Sequence, residues 1–430
     1  MIPTIERNGS KARVMVEVDL SGSMMEMESK IQDALNIAGN RLTKEALEQF
    51  DTNGQPLQFG DIKFTARQKT AKEYETPYGC VRVERYIYQT SKGGKTYCPL
   101  DAGARIIKNS TPRFANIVSA KYVNQSAAGA KADLELSNGR DVSRCYIQDL
   151  AETVGAMASA VEDTMDYKIP KLKEPVTTIA FSLDGTTILM QKDGYRETMA
   201  GTIALYDREG ERLHTIYLGA APEYGKEAFL TKMDLEIKKI KDKFPDAIYV
   251  GIADGAKSNW TFLDQHATVR ILDFYHATEY LAGASIAFGK GPGEQKTWLD
   301  SVCHNLKHDA NGAKTLLKEM KKMRKIMPYH EKNTPLILEK LDKAITYFTN
   351  QMGRMNYAEY RDKNLPIGSG VTEAACKTLI KQRLCNSGMK WKHTGAQIVI
   401  SLRAMARTDG RWPQFWDRIN SQGLAGILVS

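Results

Sequence analysis

Cysteine is scarce in this chain, and the six present (Cys80, Cys98, Cys145, Cys303, Cys376 and Cys385) stand singly, with no CxxC pair among them. That spacing offers neither a zinc site nor a CxxC redox motif, and it reads as a set of reduced thiols. Long apolar runs are also missing: none approaches the roughly 20 residues needed to span a bilayer. The opening "MIPTIERNGSKARVM" has no apolar segment ahead of a cleavage site, and no lipidation signal or basic amphipathic anchor occurs. A cytoplasmic protein without a membrane partner is the expectation. Tandem repeats and low-complexity tracts do not occur either.

What is present is an ordinary globular composition, 42% hydrophobic and 26% charged, over 430 residues, which suits two or three compact units. The formal charge of +9 and a pI near 9.0 favour an anionic partner, of which nucleic acid is the commonest for a large chain. A mildly basic protein with no such ligand is the alternative.

Along the chain, "ARVMVEVDL" predicts a short strand. A helix is expected over 23–50, with Met27, Ile31, Leu35, Ala38 and Leu42 at helical spacing. In "YGCVRVERYIYQTSKGGKTYCPLD", β-branched and aromatic residues flank Ser91-Lys92-Gly93-Gly94, which predicts a β-hairpin with Arg82, Arg85, Lys92 and Lys95 on a solvated face. Three helical runs follow between 111 and 163, joined by short turns, as in a tri-helical unit of helix-turn-helix type. The third run begins near Ser143 and carries Arg144, Tyr146 and Gln148 where a recognition helix reaches bases, although a plain three-helix packing unit gives the same pattern. "YKIPKLKEP" then reads as a linker.

Beyond the linker the period changes to strands. "VTTIAFSLDGTTILM", "ETMAGTIALYD" and "ERLHTIYLG" predict an antiparallel meander, and "GKEAFLTKMDLEIKKIKDKF" an amphipathic helix with Phe229, Met233, Ile237, Ile240 and Phe244 on one face. "DAIYVGIADGA" reads as a buried parallel strand, and "ATVRILDFYHATEYL" as another that breaks into a helix near Tyr275. This is the element order of a ribonuclease-H-like core. The core lacks only its last helix, which is found in "LPIGSGVTEAACKTLIKQRLCNSGMKW", beginning near Ser369 with its hydroxyl as a cap. The lysine-rich helical stretch between is then an insertion. The expected fold is α/β: a ribonuclease-H-like catalytic core with a mixed sheet and flanking helices (174–275 and 362–410), interrupted by a helical insertion (276–361). An N-terminal helix and hairpin domain (1–105), the tri-helical unit (106–168) and a C-terminal tail (411–430) complete it.

Asp184 is expected at a strand end, opposite its large apolar neighbours, and Asp254 at the end of a buried strand. Ligands of open α/β sheets lie outside the carboxyl ends of the strands, so both acids should converge there. Glu373 is the one acid in an otherwise basic and apolar helical run. If that helix lies over the strand ends, three carboxylates share one volume and need compensating positive charge. All-oxygen ligation suits Mg²⁺ or Mn²⁺, and two such ions about 3.5–4 Å apart clamp an in-line phosphoryl displacement. Lys377, Lys381, Arg383, Lys390 and Lys392 would hold a nucleic-acid backbone, with Trp391 able to stack on a sugar or base. Each acid also has a plainer reading: Glu373 opposes a helix dipole, while Asp184-Gly185 and Asp254-Gly255 are common turn pairs. In "LDFYHATEYL", Asp273, His276 and Glu279 serve as metal ligands or as groups that orient a neighbour.

The blocks "YGCVRVERYIYQ" with "CPLDAGARI", "FSLDGT", "GIADGAKSNW", "ILDFYHATEYL" and "LPIGSGVTEAACKTLIKQRLCNSGMKW" together resemble bacterial insertion-sequence transposases of the Kra group, in the DDE class and akin to Mutator-like enzymes. The resemblance covers most of the chain from about Tyr78 to Trp391. It implies a DDE triad matched by Asp184, Asp254 and Glu373, with Asp273 and His276 matching a D-x-x-H signature. A cysteine-based zinc ribbon found in relatives is not matched, since only Cys80 and Cys98 lie near the hairpin. The implied activity is metal-dependent cleavage at element ends and 3′-hydroxyl strand transfer into target DNA. The implied partners are DNA (terminal inverted repeats and target) and further copies of the chain as a homodimer or higher oligomer, in a nucleoid-associated bacterial setting. A domesticated, non-catalytic DNA-binding protein and a ribonuclease-H-like nuclease without strand transfer are the alternative readings.

Overall fold

The structure is a computed structural model and describes residues 4–162, 164–223, 226–327 and 334–423. The chain forms two compact units. The first comprises the chain up to Lys168 with 401–406 and the segment from Gly410; the second comprises 169–400 and 407–409.

In the first unit, β1 (Thr4–Asn8) and β2 (Lys11–Met15) form an antiparallel pair, so the strand expected from "ARVMVEVDL" begins one residue early and stops at Met15. Helix α1 (Met24–Glu48) begins where expected. Ser23 and Glu26 close a reciprocal capping box there, the Ser23 N–H donating to the Glu26 carboxylate at 2.7 Å. Its apolar spacing does not mark a core face: Ala34 and Leu47 are buried, whereas Ile31, Leu35 and Leu42 are exposed.

A four-stranded antiparallel sheet follows, β3 (Leu57–Phe59), β4 (Ile62–Glu75), β5 (Cys80–Thr90) and β6 (Gly93–Tyr97), ordered as in the chain. The expected hairpin is β5–β6, but its turn is Ser91-Lys92. Gly93 and Gly94 lie inside β6 with φ of +78° and +91°. β3 and β4 carry no clear signal, because β4 buries only Tyr74, exposes Lys63, Arg67 and Lys69, and shifts register between Ala66 and Gln68. Leu47, Tyr74, Val81, Val83, Leu100, Ala104 and Ile106 form the local core.

After the short α2 (Pro99–Gly103), the three expected helices are α3 (Pro112–Asn124), α4 (Ala127–Asn138) and α5 (Arg144–Val161). α5 buries Ile147, Leu150, Val154, Met157 and Val161 at three- and four-residue intervals, which is why its period was legible. The stretch read as a C-terminal tail holds an amphipathic helix, Arg411–Gln422, in which Trp412 donates its indole N–H to Asn116 at 3.0 Å.

The second unit is built on a five-stranded sheet of β7 (Thr178–Met190), β8 (Gly194–Tyr206), β9 (Arg212–Ala220), β10 (Ile248–Ala253) and β11 (Val269–Leu272). Its order is β9-β8-β7-β10-β11: the first three strands are antiparallel, and β10 runs parallel to both β7 and β11. Helix α6 (Glu227–Lys243) covers one face through Phe229 and Met233, which approach so closely that a Cβ on Gly201 would lie 2.6 Å from the Met233 sulfur. α7 (Lys257–Leu263) links β10 to β11.

The insertion is helical throughout its described residues: α8 (Phe274–Ala284), α9 (Pro292–His308), α10 (Gly312–Ile326), α11 (Thr334–Gln351) and α12 (Tyr357–Asp362). Lysines of α10 line a solvated face opposite buried Ala313, Leu316 and Met320. Tyr357 and Tyr360 of α12 donate to the carbonyls of Leu272 and Arg270, capping the edge strand β11.

The final helical run is interrupted. α13 (Gly370–Ala375) passes into a π-helical turn (Cys376–Lys381), then α14 (Gln382–Leu384), and α15 (His393–Arg407) follows. Among the described residues no helix is long and apolar enough to cross a membrane.

Candidate active site

The geometry of the site starts from strand register. Ile252 pairs with Ser182 in the last parallel rung of β10 and β7. Asp184, two residues further along β7, keeps the face of Ser182, since side chains alternate along a strand, whereas Asp254 lies one residue past the end of β10, in the turn that follows. The expectation that Asp184 ends its strand is corrected here. β7 runs six residues past it, paired to β8 through Asp184–Ala200 and beyond; only the parallel neighbour stops.

The same face carries α13. Thr202, opposite Ser182 on β8, shares a buried 2.6 Å hydrogen bond with Thr372 of α13. One turn on, the Cys376 thiol approaches Oδ2 of Asp184 at 3.6 Å. Burial pushes the Cys376 thiol far above its ordinary range, and the Asp184 and Glu373 carboxylates push it further. Cys376 is thus the contact between the first acid of the sequence reading and the helical run that carries the third. A π-helical turn is rare and recurs at functional sites, and here it begins at Cys376.

Ser369 does not cap α13 with its hydroxyl, contrary to expectation. Its Oγ faces Oε1 of Glu373 at 3.4 Å, and its main-chain carbonyl accepts the N–H groups of Thr372 and Glu373. Ser369 is fixed by Asp273, which is fully buried: Oδ1 accepts the His276 N–H at 2.9 Å as the cap of α8, and Oδ2 accepts the Ser369 N–H. Asp273 therefore ties the end of β11 to the loop that launches the Glu373 helix. That is a positioning task.

Asp254 is held by its own turn. Oδ1 accepts the Ala256 N–H at 3.1 Å and the Asn259 amide at 3.3 Å. It lines a cavity of about 410 Å³ with His276, Glu279, Tyr280, Gly283, Lys340 and Lys343, and His276 Nδ1 stands 3.4 Å from Glu279 Oε2. Sequence reading missed Tyr347 and Gln351 of α11, which bond the carbonyls of Asp254 and Gly255. Their four-residue spacing along α11 is the one available signal.

None of Asp184, Asp254 and Glu373 has an ion-pair partner among the described residues. Their oxygens suit a hard divalent cation by donor chemistry. As they stand, however, no group of three or more His, Cys, Asp or Glu side chains among the described residues is close enough to hold one.

The expected DNA contacts divide. Lys377, Lys381, Lys390 and Lys392 are exposed, as is Arg144 at the start of α5. Arg383 is only 2% exposed and its guanidinium lies over the Trp391 ring, 5.4 Å from its centre. Trp391 is committed as well: its main chain bridges to the end of β7 and its indole N–H donates to the Leu384 carbonyl at 2.8 Å. A cation–π stack with both polar ends satisfied leaves neither residue to meet a phosphate or base. Tyr146 likewise turns inward rather than toward solvent. No protein-family model matches the chain, and no curated protein matches it.

Proposed function

We propose that the chain is a DDE-class DNA transposase of an insertion sequence, with a ribonuclease-H-like catalytic core. What supports the core is its strand order, three antiparallel strands followed by two added in parallel on the far side of the first, with helices on both faces. The observation that carries the function is the placement of Asp184 and the Glu373 helix on one face of the sheet, with Asp254 just past the end of the neighbouring strand β10 and no cationic side chain among the described residues paired to any of the three acids.

Asp184 and Asp254 would hold Mg²⁺ or Mn²⁺ between β7 and the end of β10, and Glu373 would complete a second site once DNA engages. Bound ions would activate the attacking oxygen and stabilise the leaving one. Lys377 and Lys381 on the turns after Glu373, with Lys390 and Lys392, supply positive charge for the phosphates of the strand being cut. Asp273 keeps the Glu373 helix in register with β11. The reaction is hydrolysis of a phosphodiester at each element end, followed by attack of the freed 3′-hydroxyl on target DNA, with several copies of the chain on one DNA.

A non-catalytic DNA-binding reading is favoured by one observation, the lack of a closed three-ligand group among the described residues. Cleavage separates the two readings. With a duplex carrying the inverted repeats that flank the coding region, and Mg²⁺ or Mn²⁺, the protein is expected to nick at the repeat. Asp184→Asn, Asp254→Asn and Glu373→Gln should bind that duplex normally and not cut it. Full cleavage by any one of them removes the catalytic assignment.

A further inference from the structure

Resting on the transposase reading of the Asp254 site, we propose that α11 of the insertion is the element that positions Asp254, with Tyr347 and Gln351 as positioning residues and a DNA phosphate as the group admitted beside them. The Tyr347 hydroxyl donates to the main-chain carbonyl of Asp254 at 2.5 Å, and the Gln351 amide donates to that of Gly255 at 3.1 Å. One turn of α11 therefore fixes two consecutive peptide groups immediately after the carboxylate.

The fit leaves no slack. Gly255 sits at φ +102°, and a Cβ there would come 3.0 Å from the Tyr347 ring and 3.2 Å from Gln351 Nε2, so only glycine allows the helix this near. Each positioning residue is itself held. Tyr347 stacks on Tyr280 of α8 with ring centres 3.8 Å apart, and Arg354 donates to Gln351 Oε1 at 2.8 Å while lying over Trp260 of α7. α7 also supplies Asn259, which donates to the Asp254 carboxylate. The acid is thus held from α7 at its side chain and from α11 at its backbone.

α11 also contributes Lys340 and Lys343 to the cavity that Asp254, His276 and Glu279 line. Lys343 is already paired with Glu339 of the same helix at 2.7 Å, so Lys340 is the ammonium group left to meet the charge of a phosphodiester entering this cavity.

The test uses the full chain with Tyr347→Phe, which keeps the ring and removes the donor, and Gln351→Leu. Three quantities are read: hydrogen exchange of the Ala256 amide, which donates to the Asp254 carboxylate, Mn²⁺ titration followed by electron paramagnetic resonance, and single-turnover cleavage. The expected result is amide exchange at least about 10-fold faster, a Mn²⁺ midpoint raised several-fold, and a cleavage rate lowered about 10- to 100-fold with DNA affinity unchanged. Gln351→Glu, which keeps an acceptor but loses the donor, should behave like Gln351→Leu. Unchanged Ala256 exchange overturns the positioning role whatever the activity. Faster exchange with an unmoved Mn²⁺ midpoint overturns it too, reducing α11 to packing. Wild-type protein that neither binds Mn²⁺ nor cleaves sinks the transposase reading itself, an outcome distinct from either.

Discussion

Replacing Asp273 by alanine strikes the tie between the sheet and the Glu373 helix. The side chain is fully buried, and its two oxygens accept the N–H groups of His276 and Ser369, residues 93 apart in sequence, on opposite sides of the insertion. Removing it orphans both donors inside the protein, at about 1–3 kcal/mol each, so roughly 4 kcal/mol in all. Part of that is offset because a buried carboxylate is no longer desolvated. For a unit of this size, 1 kcal/mol corresponds to about 2–4 °C in Tm, so a fall of roughly 10 °C is expected by calorimetry. Asp273→Asn keeps one acceptor oxygen and should lose about half as much. The variant that survives at lower temperature should also cleave more slowly, since the helix start at Ser369 loses its anchor. A Tm within about 2 °C of wild type would refute the account, because two buried amide groups cannot lose a charged acceptor at that small a cost.

Other expectations follow from the same geometry. Lys377→Ala, Lys381→Ala, Lys390→Ala and Lys392→Ala should each reduce the salt dependence of DNA binding by about one charge, whereas Arg383→Ala should lower stability and leave the salt slope alone. Cys376 should resist alkylation near neutral pH while exposed Cys145 reacts; Asp184→Asn, by removing a nearby carboxylate, should let the Cys376 thiol ionise at lower pH and speed its alkylation, read by mass spectrometry. Burial, and then Lys241, hold the His266 imidazole below its ordinary range. Its contribution to stability is therefore complete above about pH 6.5 and falls away as pH drops through the lower folded value. His266→Phe, which keeps the ring contacts with Phe181 and Phe262, should flatten that limb of a denaturation–pH profile.

Strong period made most elements readable. α5 and α6 each bury one face, so apolar residues recur at 3.6 and the pattern is local, while β7 is buried on both faces along its first half and reads as a run of apolar and small residues. β4 escaped because it buries a single tyrosine and a bulge breaks its alternation, and α1 showed a period whose apolar residues are exposed. Asp254 and Glu373 could be picked out as acids at a strand end and at a helix start, because those positions have meaning in a chain read alone, whereas Asp184 lies inside a strand that runs on to Met190.

Which side chains those acids meet was settled only in three dimensions. Arg383 and Trp391 look like nucleic-acid contacts in sequence, yet they close on each other once the chain returns to the end of β7. Asp273, Tyr347 and Gln351 gain their roles from backbone groups tens of residues distant, and a hydrogen bond to a main-chain N–H or carbonyl leaves no mark in the identity of its partner. Local order is written in side-chain period, which the sequence carries; long-range polar contacts depend on where the backbone turns, which only the folded chain supplies.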